Sequence, residues 1–190
     1  MYINIFGSTG VIGSKSVEII STYFPQLKID LLLACNNANK LINQANKINP
    51  KAICLKNTKK INYYKNKLNP NVKIIDYKDL SNYLKNNQTK ASILSISGNS
   101  ALEYLEDILI NTKLLGLVNK ECVVSCGHLF KKLLTKYKVK IFPLDSEHFS
   151  IFNLDNQNKT YLKNFYKIYL TASGGPLLNY NKKKISNVSF

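Results

Sequence analysis

Short apolar runs rich in β-branched residues alternate along the chain with segments of helical periodicity. The runs that predict strands are "YINIF", "KIDLLLAC", "KAICLK", "KASILSIS", "LLGLVN" and "VKIFPL". The helical segments include "ANKLINQANKIN", "SALEYLEDILIN" and "CGHLFKKLLTKY", and a Lys/Asn/Tyr-rich helical segment follows the third strand. Repeated βαβα alternation is typical of a parallel sheet with helices on both faces. We therefore predict an α/β fold built on a doubly wound, mainly parallel sheet.

Small, polar and charged residues cluster where the predicted strands end. The clusters are "GSTG", "CNN", "SISGNS", "VNKE", "LDSE" and "TASGG". In open α/β sheets, ligands bind in the crevice outside the carboxyl ends of the strands. The sequence therefore predicts one shared ligand-binding crevice at that edge of the sheet.

A glycine-rich turn follows the first strand and opens the first helix. Gly7, Gly10 and Gly13 form the pattern G-x-x-G-x-x-G there. In that context the glycines allow a tight turn, the approach of a pyrophosphate to backbone amides, and close packing of helix on strand. The positive end of the helix dipole favours phosphates, and the hydroxyls of Ser8 and Thr9 can add donors. The turn predicts a Rossmann-like, dinucleotide-binding domain.

The end of the second predicted strand is uncharged and carries Cys35, Asn36 and Asn37. NAD sites usually place a carboxylate at this position to hold the ribose diol. Asp30 lies at the opposite end of the strand, and the nearest cation, Lys40, lies a helical turn further on. Because the missing carboxylate removes a repulsion against a 2′-phosphate, we predict NADP(H) rather than NAD(H).

Two further strand ends carry candidate anion-binding groups. In "VNKE", Asn119, Lys120 and Glu121 precede a helix. Lys120 can polarise a carbonyl or hold an anionic oxygen, and a solvated lysine beside a helix cap is the alternative. In "LTASGGP", the small residues around Ser173 suit a phosphate-binding nest, and a plain strand-ending turn explains them equally well.

The segment "PLDSEH" predicts a metal site. In an extended backbone Asp145 and Glu147 are two residues apart, so both carboxylates point to the same side. Paired carboxylates suit Mg²⁺ or Mn²⁺ with open positions for substrate oxygens and water. Ser146 points away in an ideal strand, and His148 is expected to pack or hydrogen-bond rather than to bind metal.

Composition narrows the class of partner. The net charge is +16, but all 27 basic residues are Lys, whereas nucleic-acid sites usually rely on Arg. We expect a solvated basic surface and no nucleic-acid partner. No apolar run reaches the roughly 18 residues of a membrane span, and the N-terminus does not resemble a secretory signal. The four Cys form no C-x-x-C pair, so we expect reduced thiols in a cytoplasmic protein.

The four blocks "GSTGVIG", "LVNKECVVSCG", "PLDSEHFSIF" and "LTASGGP", in this order and at these separations, resemble a known enzyme family. The family is 1-deoxy-D-xylulose 5-phosphate reductoisomerase, and the resemblance runs from about residue 2 to about residue 178. It implies NADPH-dependent conversion of that phosphorylated sugar to 2-C-methyl-D-erythritol 4-phosphate in non-mevalonate isoprenoid biosynthesis. It also implies a divalent cation, Mg²⁺ or Mn²⁺, and a homodimer in full-length members.

The resemblance implies a role for each candidate residue. Cofactor contacts map onto Gly7, Ser8, Thr9, Gly10, Val11, Ile12, Cys35, Asn36, Asn37, Asn119 and Glu121. Substrate contacts map onto Lys120, Ser146, Glu147 and Ser173, and two of three metal carboxylates onto Asp145 and Glu147. Cys35 and Asn36 depart from the Gly and the basic residue that family members often carry there.

The implied chemistry has two steps and uses Lys120, Asp145 and Glu147 as catalytic residues. The cation chelates the ketone and a neighbouring hydroxyl and stabilises the oxyanion while the carbon skeleton rearranges. The nicotinamide then delivers hydride to the resulting aldehyde. Lys120 would help to hold the developing negative charge.

The expected domain organisation is an NADP-binding Rossmann-like domain at 1–142 and the beginning of a catalytic domain at 143–190. Family members are much longer, and their remaining part holds the third metal carboxylate, so a complementing C-terminal chain is one possibility. The alternative is a fragment that folds and binds NADP(H) only. The glycine turn alone would also fit a semialdehyde dehydrogenase, or a sugar epimerase with Tyr63 and Lys67 as its catalytic pair.

The first prediction is that this polypeptide by itself shows little or no turnover, because it lacks the third carboxylate. The measurement is NADPH oxidation with 1-deoxy-D-xylulose 5-phosphate and Mn²⁺, with a full-length family member as control. A rate comparable with that of the control would contradict the prediction.

Overall fold

The computed structural model describes residues 1–57, 65–157, 167 and 169, and the side chains of 155–157 are not among the described parts. The strands are β1 (Tyr2–Phe6), β2 (Lys28–Ala34), β3 (Ala52–Leu55), β4 (Lys73–Ile75), β5 (Ala91–Leu94), β6 (Leu114–Leu117) and β7 (Lys140–Pro143). The α-helices are α1 (Val11–Tyr23), α2 (Ala38–Ile48), α3 (Leu80–Asn86), α4 (Leu105–Asn111), α5 (Glu121–Tyr137) and α6 (Ser146–Gln157). Short 3-10 helices at Tyr77–Asp79 and Asn99–Tyr104 precede α3 and α4.

The described strands form one seven-stranded sheet in the order β4-β3-β2-β1-β5-β6-β7. Every neighbouring pair is parallel. The chain winds outward from β1 through β2 to β4, returns to the centre at β5 and then winds outward on the other side. The predicted doubly wound sheet is therefore confirmed, and its topological switch point lies between β1 and β5, where such sheets bind ligands.

The edge strand β4 was missed by the sequence analysis. It has only three residues, Lys73–Ile75, of which Lys73 is exposed, so its apolar signal is too short for a periodicity argument. Part of the Lys/Asn/Tyr-rich segment before it lies outside the described residues. Helix α5 begins at Glu121, at the end of the "VNKE" cluster that was predicted to precede a helix, and a non-helical backbone at Cys126 kinks it.

Strand β2 shows how the sheet separates two apolar cores. Leu31 and Leu33 pack with Phe6 on one face, and Leu32 packs with Ile5 on the other. Successive side chains of a strand point to opposite faces, and a parallel strand covered on both faces is apolar throughout. Each such buried side chain contributes about 1.5–3 kcal/mol relative to exposure.

The chain divides into two compact units, 1–149 and 150–190. The first contains the complete described sheet, and most of the second lies outside the described residues. Within the described part, no helix combines the length and apolar character needed to cross a membrane.

The turn between β1 and α1 brings three backbone segments into contact. Gly7 has a φ of +85°, and a Cβ on it would lie 2.7 Å from the carbonyl oxygen of Ser95, which follows β5. A Cβ on Gly13 would overlap the carbonyl oxygen of Gly7. Glycine is required at both positions because any side chain would push α1 or β5 away from the end of β1.

We predict that Gly13→Ala destabilises the fold by about 1–3 kcal/mol, since the added methyl group meets backbone that cannot move aside. The matched control is Gly127→Ala in α5, where an added Cβ meets nothing within 4 Å. Alanine there should leave the stability nearly unchanged, because the added methyl group meets no neighbour and Gly127 directly follows the kink at Cys126. Urea unfolding of both variants provides the measurement, and an unchanged midpoint for Gly13→Ala would contradict the prediction.

Candidate functional site

A cleft of about 230 Å³ opens at the carboxyl ends of β1, β2, β3 and β5. It is lined by Gly7, Thr9, Gly10, Leu33, Cys35, Lys56, Ser95, Ile96, Ser97, Ser100 and Tyr104. The structure thus brings together the predicted clusters "GSTG", "CNN" and "SISGNS". The cleft lies at the switch point of the sheet, which is the expected ligand position for this topology.

Backbone hydrogen bonds hold the glycine turn against β2. The amides of Gly7 and Ser8 both donate to the Leu33 carbonyl at 2.9 Å, and the amide of Gly10 donates to Gly7 at 3.0 Å. Helix α1 then begins at Val11, which is 85% exposed, and no side chain caps this terminus. First-turn amides have no partner within their own helix and suit an anion.

Ser8 is not among the residues that line this cleft, and its contact with a cofactor stays a prediction. The residue is fully buried, and its Oγ has no hydrogen-bond partner. Its carbonyl accepts a hydrogen bond from Gln44 Nε2 at 2.8 Å, which anchors the turn on α2. Thr9 instead lines the cleft and is partly exposed.

The three residues that follow β2 have different local roles. All are exposed, and Cys35 lines the cleft. Asn37 caps α2, since its Oδ1 accepts the Lys40 amide at 3.1 Å. Asn36 Oδ1 accepts from the side chain of Asn57 at 3.4 Å. Their contacts with a cofactor stay a prediction.

Lys56 is a cleft residue that the sequence analysis missed. It follows β3, and its Nζ lies 2.6 Å from Glu103 Oε2, which also accepts a hydrogen bond from the Tyr77 hydroxyl at 2.9 Å. The bond to Glu103 raises the pKa of Lys56, and the same bond lowers the pKa of Glu103. The sequence carried one signal for this cleft position. Lys56 comes directly after the third strand, and the end of that strand faces the same crevice as the other strand ends.

Asn119 joins the end of β6 to the loop after β5. Its Nδ2 donates to the carbonyls of Ile96 at 2.6 Å and Gly98 at 2.9 Å, and its Oδ1 accepts the Cys122 amide at 2.7 Å. The side chain is buried, and these bonds occupy its amide. Glu121 Oε1 accepts the Gly98 amide at 3.3 Å. Both residues shape the loop beside the cleft, and direct cofactor contact by either stays a prediction.

The prediction that Asp145 and Glu147 lie in extended backbone is wrong. Helix α6 begins at Ser146, and Asp145 Oδ1 caps it by accepting the His148 amide at 3.0 Å. The Nδ1 of His148 lies 2.7 Å from the same oxygen. Residues two apart at a helix start are rotated by roughly 200°, so the argument for a shared side fails. An aspartate at the cap with Glu147 in the first turn is a helix-start signal that the spacing argument overlooked.

The metal assignment itself stays a prediction. Among the described residues, no group of three His, Cys, Asp or Glu side chains could hold a metal ion. Lys120 is exposed immediately before α5, and Glu147 is exposed in α6. Ser173, the predicted phosphate contact, lies outside the described residues.

A parallel doubly wound sheet, a glycine turn into an uncapped helix, and a cleft at the switch point define a Rossmann-like α/β protein. The family model for 1-deoxy-D-xylulose 5-phosphate reductoisomerase matches residues 3–127, and the model for the C-terminal domain of that enzyme matches residues 141–190. The chain belongs to the 1-deoxy-D-xylulose 5-phosphate reductoisomerase family.

Curated proteins that are similar to this chain are named 1-deoxy-D-xylulose 5-phosphate reductoisomerase. The reductoisomerase of Pelagibacter ubique is 40% identical over 190 residues, with 98% of this chain and 48% of the relative covered. That of Wigglesworthia glossinidia brevipalpis is 36% identical over 200 residues, with 98% and 50% covered. The chain therefore spans about half the length of these curated relatives.

Solved structures agree in fold. A reductoisomerase in complex with NADPH, fosmidomycin and magnesium superposes with a TM-score of 0.79 at 25% identity, with 100% of this chain and 49% of that chain covered. The Zymomonas mobilis enzyme in complex with NADPH gives a TM-score of 0.71 at 24% identity, with 77% and 39% covered.

The environments of the cysteines predict selective thiol chemistry. Cys35 is exposed, whereas burial raises the pKa of Cys54 to about 12 and that of Cys122 to about 11. Because the thiolate is the nucleophile, iodoacetamide at neutral pH should alkylate Cys35 first. Mass spectrometry of time points measures the order, and Cys35→Ser, which should lose the fast phase, is the control. Equal rates at Cys54 and Cys35 in the folded protein would contradict this prediction.

Proposed function

We propose that this chain forms the NADPH-binding part of a 1-deoxy-D-xylulose 5-phosphate reductoisomerase. The reaction is the reductive isomerisation of 1-deoxy-D-xylulose 5-phosphate to 2-C-methyl-D-erythritol 4-phosphate. The observation that carries the proposal is the glycine turn, which places an uncapped helix terminus on a cleft at the switch point of the sheet. The alternative is a fragment that binds NADP(H) without turnover.

The turn fits a dinucleotide. Gly7, Gly10 and Gly13 all lie close to protein backbone, since a Cβ on Gly10 would lie 3.3 Å from the carbonyl oxygen of Gly7. Gly10 is nevertheless exposed and lines the cleft. The backbone from Thr9 through Ile12 would hold the pyrophosphate, because the α1 terminus directs amides and positive dipole toward it. NADPH supplies the hydride when bound, and the chain orients it.

The adenosine end of the cofactor would lie beyond β2, beside Cys35, Asn36 and Asn37. The nicotinamide end would lie toward the loop that Asn119 and Glu121 hold in place. Asn119 acts through this loop, since its amide is bonded to backbone on both sides.

The substrate side is formed by residues near the starts of α5 and α6. The exposed Lys120 would hold an anionic oxygen of the phosphorylated sugar, and Ser146 and Glu147 would contact its hydroxyls. Asp145 and Glu147 offer the oxygen donors that Mg²⁺ or Mn²⁺ prefers. The described residues provide two such carboxylates, so the remaining ligands of the cation would come from substrate, water and other protein residues. Ser173 would contact the phosphate.

The assembly and location follow from the same proposal. We expect homodimers, as in the full-length members, and catalysis only where a C-terminal half is present on this or a complementing chain. A cytoplasmic location fits the four free cysteines, because cytosolic thiols are kept reduced.

We predict that Val11→Asp weakens NADPH binding by about tenfold, because a carboxylate at the α1 terminus repels the pyrophosphate. The fold should tolerate the change, since Val11 is 85% exposed and acidic residues favour a helix start. Val11→Asn matches the shape without the charge and should bind NADPH more tightly than Val11→Asp. Isothermal calorimetry of the wild type and both variants gives the affinities. Absence of NADPH binding by the wild type would refute the proposed function.

A further inference from the structure

The 2′-phosphate of a dinucleotide cofactor is usually bound by a basic side chain near the adenosine ribose. In doubly wound folds that ribose lies beyond the end of the second strand. The residues there are Cys35, Asn36 and Asn37, and none is charged. Lys40 is exposed on α2 and is not among the residues that line the cleft. The local sequence after β2 therefore leaves the 2′-phosphate without a positive partner.

Lys56 lies beside this position through the pairing of β3 with β2. Its backbone amide donates to the Ala34 carbonyl at 2.9 Å, and the amide of Asn57 donates to the Cys35 carbonyl at 2.9 Å. The side chain of Asn57 reaches Asn36 as well, at 3.4 Å. Lys56 and Cys35 line the same cleft. The sheet thus holds the lysine backbone directly next to the uncharged end of β2.

The ammonium group of Lys56 is held in position rather than left free in solvent. Its Nζ lies 5.3 Å from the ring centroid of Tyr77 and 5.7 Å from that of Tyr104. Glu103 Oε2 accepts a hydrogen bond from it at 2.6 Å, and the side chain of Glu103 is 51% exposed. An exposed ion pair contributes little stability, so an incoming phosphate can displace the carboxylate at small cost.

We propose that Lys56 is the cation that binds the 2′-phosphate of the cofactor, and that it sets the preference for NADPH over NADH. This inference rests on the proposed cofactor-binding function. Glu103 holds the ammonium group in place when no cofactor is bound and gives way to the phosphate, which carries more charge and accepts stronger hydrogen bonds. The specificity for NADPH over NADH therefore comes from a residue that follows the third strand of the sheet. In doubly wound folds such a residue usually follows the second strand.

The test compares the dissociation constants of NADPH and NADH by calorimetry. Lys56→Gln should weaken NADPH binding by about tenfold or more, the range of a hydrogen bond to a charged group, and leave NADH nearly unchanged. Glu103→Gln should bind NADPH as tightly as the wild type or more tightly, because it removes a competing carboxylate.

The chain offers a matched control in a second Lys–Glu–Tyr group. Lys136 pairs with Glu106 at 3.1 Å, and the Tyr137 hydroxyl donates to the same Glu106 oxygen at 2.6 Å. None of these residues lines the cleft. Lys136→Gln should change neither dissociation constant, because an exposed pair of this kind has no phosphate to bind.

Each outcome decides between the two proposals. A wild-type chain that binds neither nucleotide removes the cofactor function and this inference with it. A wild-type chain that binds NADPH while Lys56→Gln weakens NADPH and NADH equally, or weakens neither, overturns the role of Lys56 alone. A loss of NADPH affinity in Glu103→Gln as large as that in Lys56→Gln would show that the ion pair supports the cleft structurally, which also overturns the assignment.

Discussion

The contact of backbone on backbone at Gly7 determines how the rest of the cleft is arranged. Gly7 lies at the end of β1, against Ser95 after β5 on one side and against Gly13 of α1 on the other. The Ser95 hydroxyl donates to the Phe6 carbonyl at 2.8 Å and reinforces this approach. Because no Cβ separates the segments, α1 starts close to the sheet with its terminus over the switch point. A side chain at Gly7 or Gly13 would widen this junction and move the helix dipole away from the ligand position.

Polar side chains then connect the other strand ends to this junction. Asn119 ties the end of β6 to the loop that follows β5, and Gln44 ties α2 to the carbonyl of Ser8. Lys56 and Glu103 join the end of β3 to the 3-10 helix before α4. In each case a residue that follows or covers one strand fixes the loop of another, so the cleft is shaped by interactions between sequence-distant segments. Several polar residues near the cleft therefore act by holding its loops in place.

The start of α6 shows where reasoning from spacing fails. Asp145 and Glu147 were assigned to one side on the assumption of an extended chain, yet Asp145 caps a helix that begins at Ser146. An aspartate can follow a strand and precede a helix at once, and the i, i+2 rule holds only for the strand. The family membership does not depend on this geometry, because the blocks around both residues match as sequence. The metal site depends on it directly, since ligand directions decide which oxygens can meet.

The sequence by itself determined that the sheet is parallel and doubly wound, and it determined the glycine turn and the family. These features depend on local periodicity and on glycine positions that tolerate no substitute. Strand β2 needed only its run of apolar residues to be recognised as buried on both faces. Tertiary structure decided which side chains face the cleft. Ser8 is buried while its amide binds the end of β2, and the Asn119 side chain donates to two backbone carbonyls. Lys56 lies at the cleft because β3 pairs with β2. The position of Lys56 directly after a strand was a local signal, whereas the environments of Ser8 and Asn119 depend on partners far away in the chain.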